Sequence, residues 1–173
     1  MDSPWPSPTE FAVLGILAEG PSHGFAISKL LDAEKDVGRV LTVRRPLVYR
    51  ALDRLVGAGY AEPVATERGG AGPQRTIHRI TRRGRRCLDS WLTEPVEHVR
   101  DLRIEFLLKL ILLRRSGRSP IELIAAQRAA LEPTLNALED TAPEDPVELW
   151  RRHNAAAAGA YLEHLERLYV QGS

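Results

Sequence analysis

The chain has one cysteine, Cys87, and only three lysines, Lys29, Lys35 and Lys109, in 173 residues. A single cysteine excludes an internal disulfide and any cysteine-cluster metal site, and Cys87 reads as a small buried side chain. His98, His153 and His164 have no partners at metal-ligand spacing, so neither a metal nor a cofactor is expected. The longest apolar run, Phe106 to Leu113, is interrupted by Lys109 and falls well short of the roughly 18–20 residues of a membrane span. The opening Met1-Asp2-Ser3-Pro4-Trp5-Pro6 has no basic stretch leading into an apolar one, so a secretory signal is not expected. Nucleophile elbow, phosphate loop and paired catalytic carboxylates are also missing, which argues against an enzyme. These absences point to a cytoplasmic protein, and 43% apolar residues are enough to bury a core.

Net charge is only +1, but it is unevenly distributed. Residues 39–86 hold twelve arginines against three acids (Asp53, Glu62, Glu67), a net of +9, whereas residues 96–173 carry a net of −2. A basic block of this size is the footprint expected for phosphate contact, although a solvated charged face would look the same from charge alone.

Periodicity resolves the block into elements. Ser7-Pro8-Thr9-Glu10 reads as a capping box with proline at the first helical position. Phe11, Leu14, Leu17 and Ala18 then follow at helical spacing until Gly20-Pro21. A second helix is expected from Ser22, burying Phe25, Ile27, Leu30 and Leu31 and fading near Asp36-Val37-Gly38. A third starts at Pro46, with Val48, Leu52, Leu55 and Val56 as its core stripe and Gly59 as a left-handed cap. Its other side carries Tyr49, Arg50, Asp53 and Arg54, with Arg44 and Arg45 at its N-terminal approach. An apolar back, a basic front and a positive helix end suit a helix that lies on phosphates or in a major groove.

The period then changes to two. Tyr60–Ala65 and Arg75–Ile80 read as strands flanking a glycine-rich turn over 67–74, and Thr81 caps a fourth helix to about Leu92. Three helices followed by a basic hairpin give the order of a winged helix-turn-helix. The expected fold class is therefore mostly α with a small β-hairpin wing, with a winged domain over 1–95 and a helical domain over 96–173. The latter should hold an apolar helix from Val99 to Arg115, in which Lys109 interrupts the stripe of Leu102, Phe106 and Leu113. A second helix is expected from the Ser119-Pro120-Ile121-Glu122 box, kinked near Pro133, and a third from Asp145-Pro146-Val147-Glu148 to near Tyr169. About eighty residues with a wide apolar face suggest pairing with a second copy through Leu102, Phe106, Leu113, Trp150, Ala157, Tyr161, Leu165 and Leu168, although packing within one chain is the alternative.

Leu14-Gly15-Ile16-Leu17, Gly20-Pro21-Ser22-His23-Gly24-Phe25-Ala26-Ile27, Val48-Tyr49-Arg50-Ala51-Leu52-Asp53-Arg54-Leu55 with Gly59, and His78-Arg79-Ile80-Thr81-Arg82-Arg83-Gly84-Arg85 together resemble the PadR family of bacterial regulators. Arg103-Ile104-Glu105-Phe106-Leu107-Leu108-Lys109-Leu110 is similar to the subgroup with a long helical dimerisation domain. Two stretches depart from the family pattern. Arg44-Arg45-Pro46-Leu47 replaces a Ser-Pro-Gly-Thr type approach, and Ile77-His78 replaces paired tyrosines.

The resemblance implies a homodimeric repressor on pseudo-palindromic double-stranded DNA, released by a small aromatic effector such as a phenolic acid or a planar drug, with no membrane partner. It places Tyr49 on the DNA backbone. Arg44, Arg45, Arg50 and Arg54 are candidates for phosphates or guanine edges, some of them able instead to pair with Asp53 or Glu62. On the wing, the candidates are Arg68, Gln74 and Arg75. Trp91, Trp5 and Trp150 are weaker candidates for an effector pocket, set against plain packing roles. His23 is expected to fix the start of the second helix. A MarR-like regulator is the main alternative; it usually has helices on both sides of its winged domain, whereas here the extra helices follow the wing. The other is a winged-helix module that binds a protein.

Overall fold

The computed structural model describes residues 6–68, 74–139 and 145–171. The chain forms two compact units, Met1–Leu92 and Thr93–Ser173.

The first unit is built around helix α1 (Pro8–Glu19). Ser7 Oγ accepts from the Glu10 amide at 3.4 Å and the Glu10 carboxylate accepts from the Ser7 amide at 2.6 Å, so the capping box forms as read. Every residue from Glu10 to Leu17 is buried. The helix therefore carries more than the one apolar stripe expected, and Phe11, Val13, Leu14, Ile16 and Leu17 form the centre of the core. Each fully buried side chain of this size contributes roughly 1.5–3 kcal/mol.

The expected second helix is three elements. Ser22–His23 form a short strand, β1, followed by α2 (Gly24–Leu30) and α3 (Asp36–Val40). His23 Nδ1 accepts from the Ala26 amide at 3.1 Å, capping α2. The break between α2 and α3 falls at Asp32, whose carboxylate accepts from the next amide, Ala33, at 2.7 Å and whose carbonyl accepts from Lys35 at 3.0 Å. Asp competes for backbone donors in this way and ends helices. Within α2, Ile27 is buried, whereas Phe25 and Leu30 are half-exposed.

Helix α4 (Arg45–Gly57) buries Val48, Ala51, Leu52 and Leu55. Gly59 follows at φ +73°, the left-handed position that glycine takes without strain. Strands β2 (Ala61–Arg68) and β3 (Gln74–Ile80) form the hairpin, which reaches further toward its tip than read, and β1 adds to its far side in the order β1-β3-β2. β1 pairs Ser22 with His78 and His23 with Ile77. Pro63 is tolerated because β2 is an edge strand, and the register shifts between Pro63 and Ala65, leaving Val64 exposed. The expected glycine-rich tip over 69–73 lies outside the described residues. Helix α5 (Arg82–Thr93) is capped by Thr81, whose hydroxyl accepts from the Gly84 amide at 3.0 Å and lies 2.7 Å from the Gly59 carbonyl.

The second unit opens with a 3-10 turn over Val99–Arg103, then α6 (Glu105–Arg115), α7 (Ile121–Glu139) and α8 (Pro146–Gln171). Asp145 caps α8, accepting from the Val147 and Glu148 amides at 2.7 and 2.9 Å. Pro133 lies inside α7. α7 and α8 pack antiparallel, with Arg128 of α7 paired to both Glu163 and Glu166 of α8. Two buried polar side chains anchor the unit. Gln127, fully buried, reads the Val96 backbone in both directions: its Oε1 accepts from the amide at 2.7 Å and its Nε2 donates to the carbonyl at 2.9 Å.

The other anchor is Lys109, the residue that breaks the apolar stripe, and it is buried. Its ammonium donates to the Glu94 carbonyl at 2.7 Å and pairs with Glu105, one turn earlier, at 3.1 Å. Burial pushes its pKa below the ordinary lysine value, and Glu105 acts in the opposite direction.

Candidate nucleic-acid interface

The front of α4 and the adjoining wing bring most of the predicted residues to one accessible side of the first unit. Arg44 is the N-cap of α4 and gives it no side-chain cap, so the positive end of the helix is open. Arg44, Arg45, Tyr49, Arg50 and Arg54 are all exposed, on the side opposite Val48, Leu52 and Leu55.

Tyr49 is held in place by a close approach. A Cβ at Gly24 would lie 2.7 Å from its Cε1, so the ring rests directly against the start of α2 while remaining 41% exposed. The guanidinium of Arg45 lies 5.9 Å from the Tyr49 ring centroid and 5.0 Å from that of Phe25. On the wing, Gln74 is exposed and Arg75 is half-exposed, its guanidinium 5.2 Å from the Phe25 centroid. The Arg68 side chain lies outside the described residues.

Ion pairing differs from the two options that the sequence left open. Arg54 pairs with Glu10 at 3.5 Å, across a cleft of about 130 Å³ that Arg50 also lines. Glu62 is taken by Arg79 at 2.6 Å across the strands. Glu10 was read only as a capping residue; its second role depends on α1 and α4 being neighbours, which sequence spacing does not show.

His78 lies on the central strand, half-buried, and its buried Nδ1 has no hydrogen-bond partner among the described residues. Burial holds its pKa below the ordinary 6.5, and Asp53 and the Thr76 backbone oppose the shift. Below about pH 6.5 the unfolded chain takes up a proton that folded His78 resists, so stability falls with pH until the folded group also titrates. Above that value both states are neutral and the contribution is flat. The melting temperature of the wild type should therefore drop more between about pH 7 and about pH 5 than that of His78→Gln. Equal drops in the two proteins would remove His78 as the cause.

Trp91 is buried and stacked on Phe11, with centroids 4.0 Å apart and planes at 9°. One of its faces is thus covered by the core of the first unit. Trp150 is 70% exposed on α8, and Trp5 lies outside the described residues.

The residues expected to pair two copies divide in the same way. Leu102, Phe106, Leu113 and Leu165 are buried within the single chain. Trp150, Ala157, Tyr161 and Leu168, all on α8, remain exposed. Among the described residues no group of three or more His, Cys, Asp or Glu could hold a metal ion, and no helix is long and apolar enough to cross a membrane.

Residues 13–90 match the family described as Transcriptional regulator PadR-like family. No curated protein matches the chain. Among solved structures, Bacillus subtilis PadR in complex with operator DNA is similar at 19% identity, covering 91% of this chain and 97% of that one, with a TM-score of 0.48. The same protein in complex with p-coumaric acid is similar at 18% identity over 94% and 99% of the two chains, with a TM-score of 0.44. The protein smu.1604c from Streptococcus mutans UA159 is 18% identical over 91% and 96%, with a TM-score of 0.45.

Proposed function

We propose that the protein is a PadR-like, sequence-specific DNA-binding regulator, a homodimeric repressor released from its operator by a small aromatic effector; the match of residues 13–90 to the PadR-like family of transcriptional regulators supports this reading. The observation that carries the DNA-binding part is the exposed basic front of α4, with Arg44, Arg45, Tyr49 and Arg50 accessible beside the wing residues Gln74 and Arg75. A helix with a buried apolar back and an uncapped, positively charged N-terminal turn suits insertion into a major groove.

The exposed side of α8, with Trp150, Tyr161 and Leu168, is the surface we assign to pairing in the 96–173 domain, leaving the 1–95 domain to DNA. Pairing would set two recognition helices a helical turn of DNA apart and make the second contact intramolecular. Selection of binding sites from random duplexes tests this reading. A two-fold symmetric consensus with half-sites about one helical turn apart is the expected outcome. An asymmetric single site would contradict the dimer, and no enrichment would contradict sequence-specific binding.

A further inference from the structure

Phe25 is half-buried near the start of α2, and cations from three different elements converge on its ring. The Lys29 ammonium, from α2, lies 4.7 Å from the centroid. The Arg45 guanidinium, from α4, lies at 5.0 Å, and that of Arg75, from β3, at 5.2 Å. Among the described residues none of the three makes an ion pair, although Glu67 stands opposite Arg75 across the strands.

An aromatic face attracts each cation through its quadrupole but cancels none of the charge. Three like charges drawn to one ring repel one another, and the repulsion is relieved by an anion placed among them. Planar guanidinium forks from Arg45 and Arg75, with an ammonium beside them, suit the oxygens of a phosphodiester.

We propose that Phe25 is a positioning residue that gathers Lys29, Arg45 and Arg75 into one cradle for a phosphate of the DNA backbone, with Lys29 a phosphate ligand in its own right. The proposal rests on the DNA-binding reading above. It adds a residue with no charge, a cation from α2 outside the arginine-rich block, and a physical tie between recognition helix and wing: the same ring fixes one arginine from each. Phosphate contacts of this kind set the register of a protein on DNA without reading its sequence, so the operator need not be known to test them.

The full-length chain is titrated with a mixed-sequence duplex at several salt concentrations, as wild type, Phe25→Leu, Phe25→Tyr and Lys29→Gln, with melting curves for each. Phe25→Leu keeps the apolar packing but loses the ring face, and should weaken binding about 5- to 30-fold. Phe25→Tyr keeps the ring and should bind within about 2-fold of the wild type. Lys29→Gln should lower the slope of log affinity against log salt by about 0.9, one phosphate contact, and should have little further effect when combined with Phe25→Leu. Should Phe25→Leu fail to fold, the exposed Lys29→Gln still decides through its salt slope. The proposal is overturned if the wild type binds while Lys29→Gln leaves the slope unchanged, or if Leu and Tyr at position 25 weaken binding equally. A wild type that does not bind at low salt would instead remove the DNA-binding reading itself.

Discussion

Lys109→Ala should destabilise the C-terminal unit by about 2–5 kcal/mol, the scale seen when a large buried side chain is cut back to alanine. Its four-carbon stem fills core space in α6, and its ammonium holds both Glu105 and the Glu94 carbonyl. Alanine takes the ammonium away from both and leaves a cavity, and the two losses act together. Lys109→Met keeps most of the stem volume and should lose clearly less. Urea unfolding of the full chain at fixed protein concentration measures the difference. A loss under about 1 kcal/mol for the alanine variant, within the range of ordinary surface changes, would mean that Lys109 is not an anchor.

The second large effect concerns binding rather than stability. Tyr49→Ala combined with Arg50→Ala should weaken operator binding by about 2–4 kcal/mol, roughly 30- to 1,000-fold. An arginine on a guanine edge is worth about 1–3 kcal/mol, and a tyrosine hydroxyl on a phosphate about 1 kcal/mol. Both side chains are exposed and neither belongs to the core, so the melting temperature should move by only a few degrees. Wild-type affinity in the double variant would remove α4 as the reading element.

Local chemistry was legible in the sequence wherever one element carried its own signal. Ser7 with Glu10, Gly59, Thr81 and Asp145 all cap as read, because each acts on backbone groups within a few residues of itself. The alternation over 75–80 gave β3 within one residue. Features that depend on a distant partner were not legible. β1 is two residues long and exists only because His78 and Ile77 stand opposite it. The second Glu10 partner, Arg54, comes from another helix.

The burial of Lys109 was not legible, because a lysine in an apolar run shows only as a break in the stripe. The carbonyl of Glu94 that makes its burial tolerable lies fifteen residues away in sequence. Leu102, Phe106 and Leu113 are buried within the chain, a choice that their stripe alone leaves open against pairing with a second copy. An apolar stripe shows that something must cover it, and nothing in its period says whether the cover is another helix of the same chain.

For the candidate interface, the sequence identified the charges and the structure shows their grouping. Arg45 and Arg75 were read as separate contacts, thirty residues apart, and Phe25 as a core residue. In the folded unit the two arginines meet on the Phe25 ring.

The central claim, that this basic face binds DNA, is tested most directly by fluorescence anisotropy of the full-length protein on duplex DNA from its own promoter region across a salt series. Tight binding is expected at about 50 mM salt, weakening by about three to five orders of magnitude by about 200 mM, the dependence of roughly six to ten phosphate contacts. No binding at low salt, or an affinity indifferent to salt, would contradict it and leave the winged fold to a protein partner.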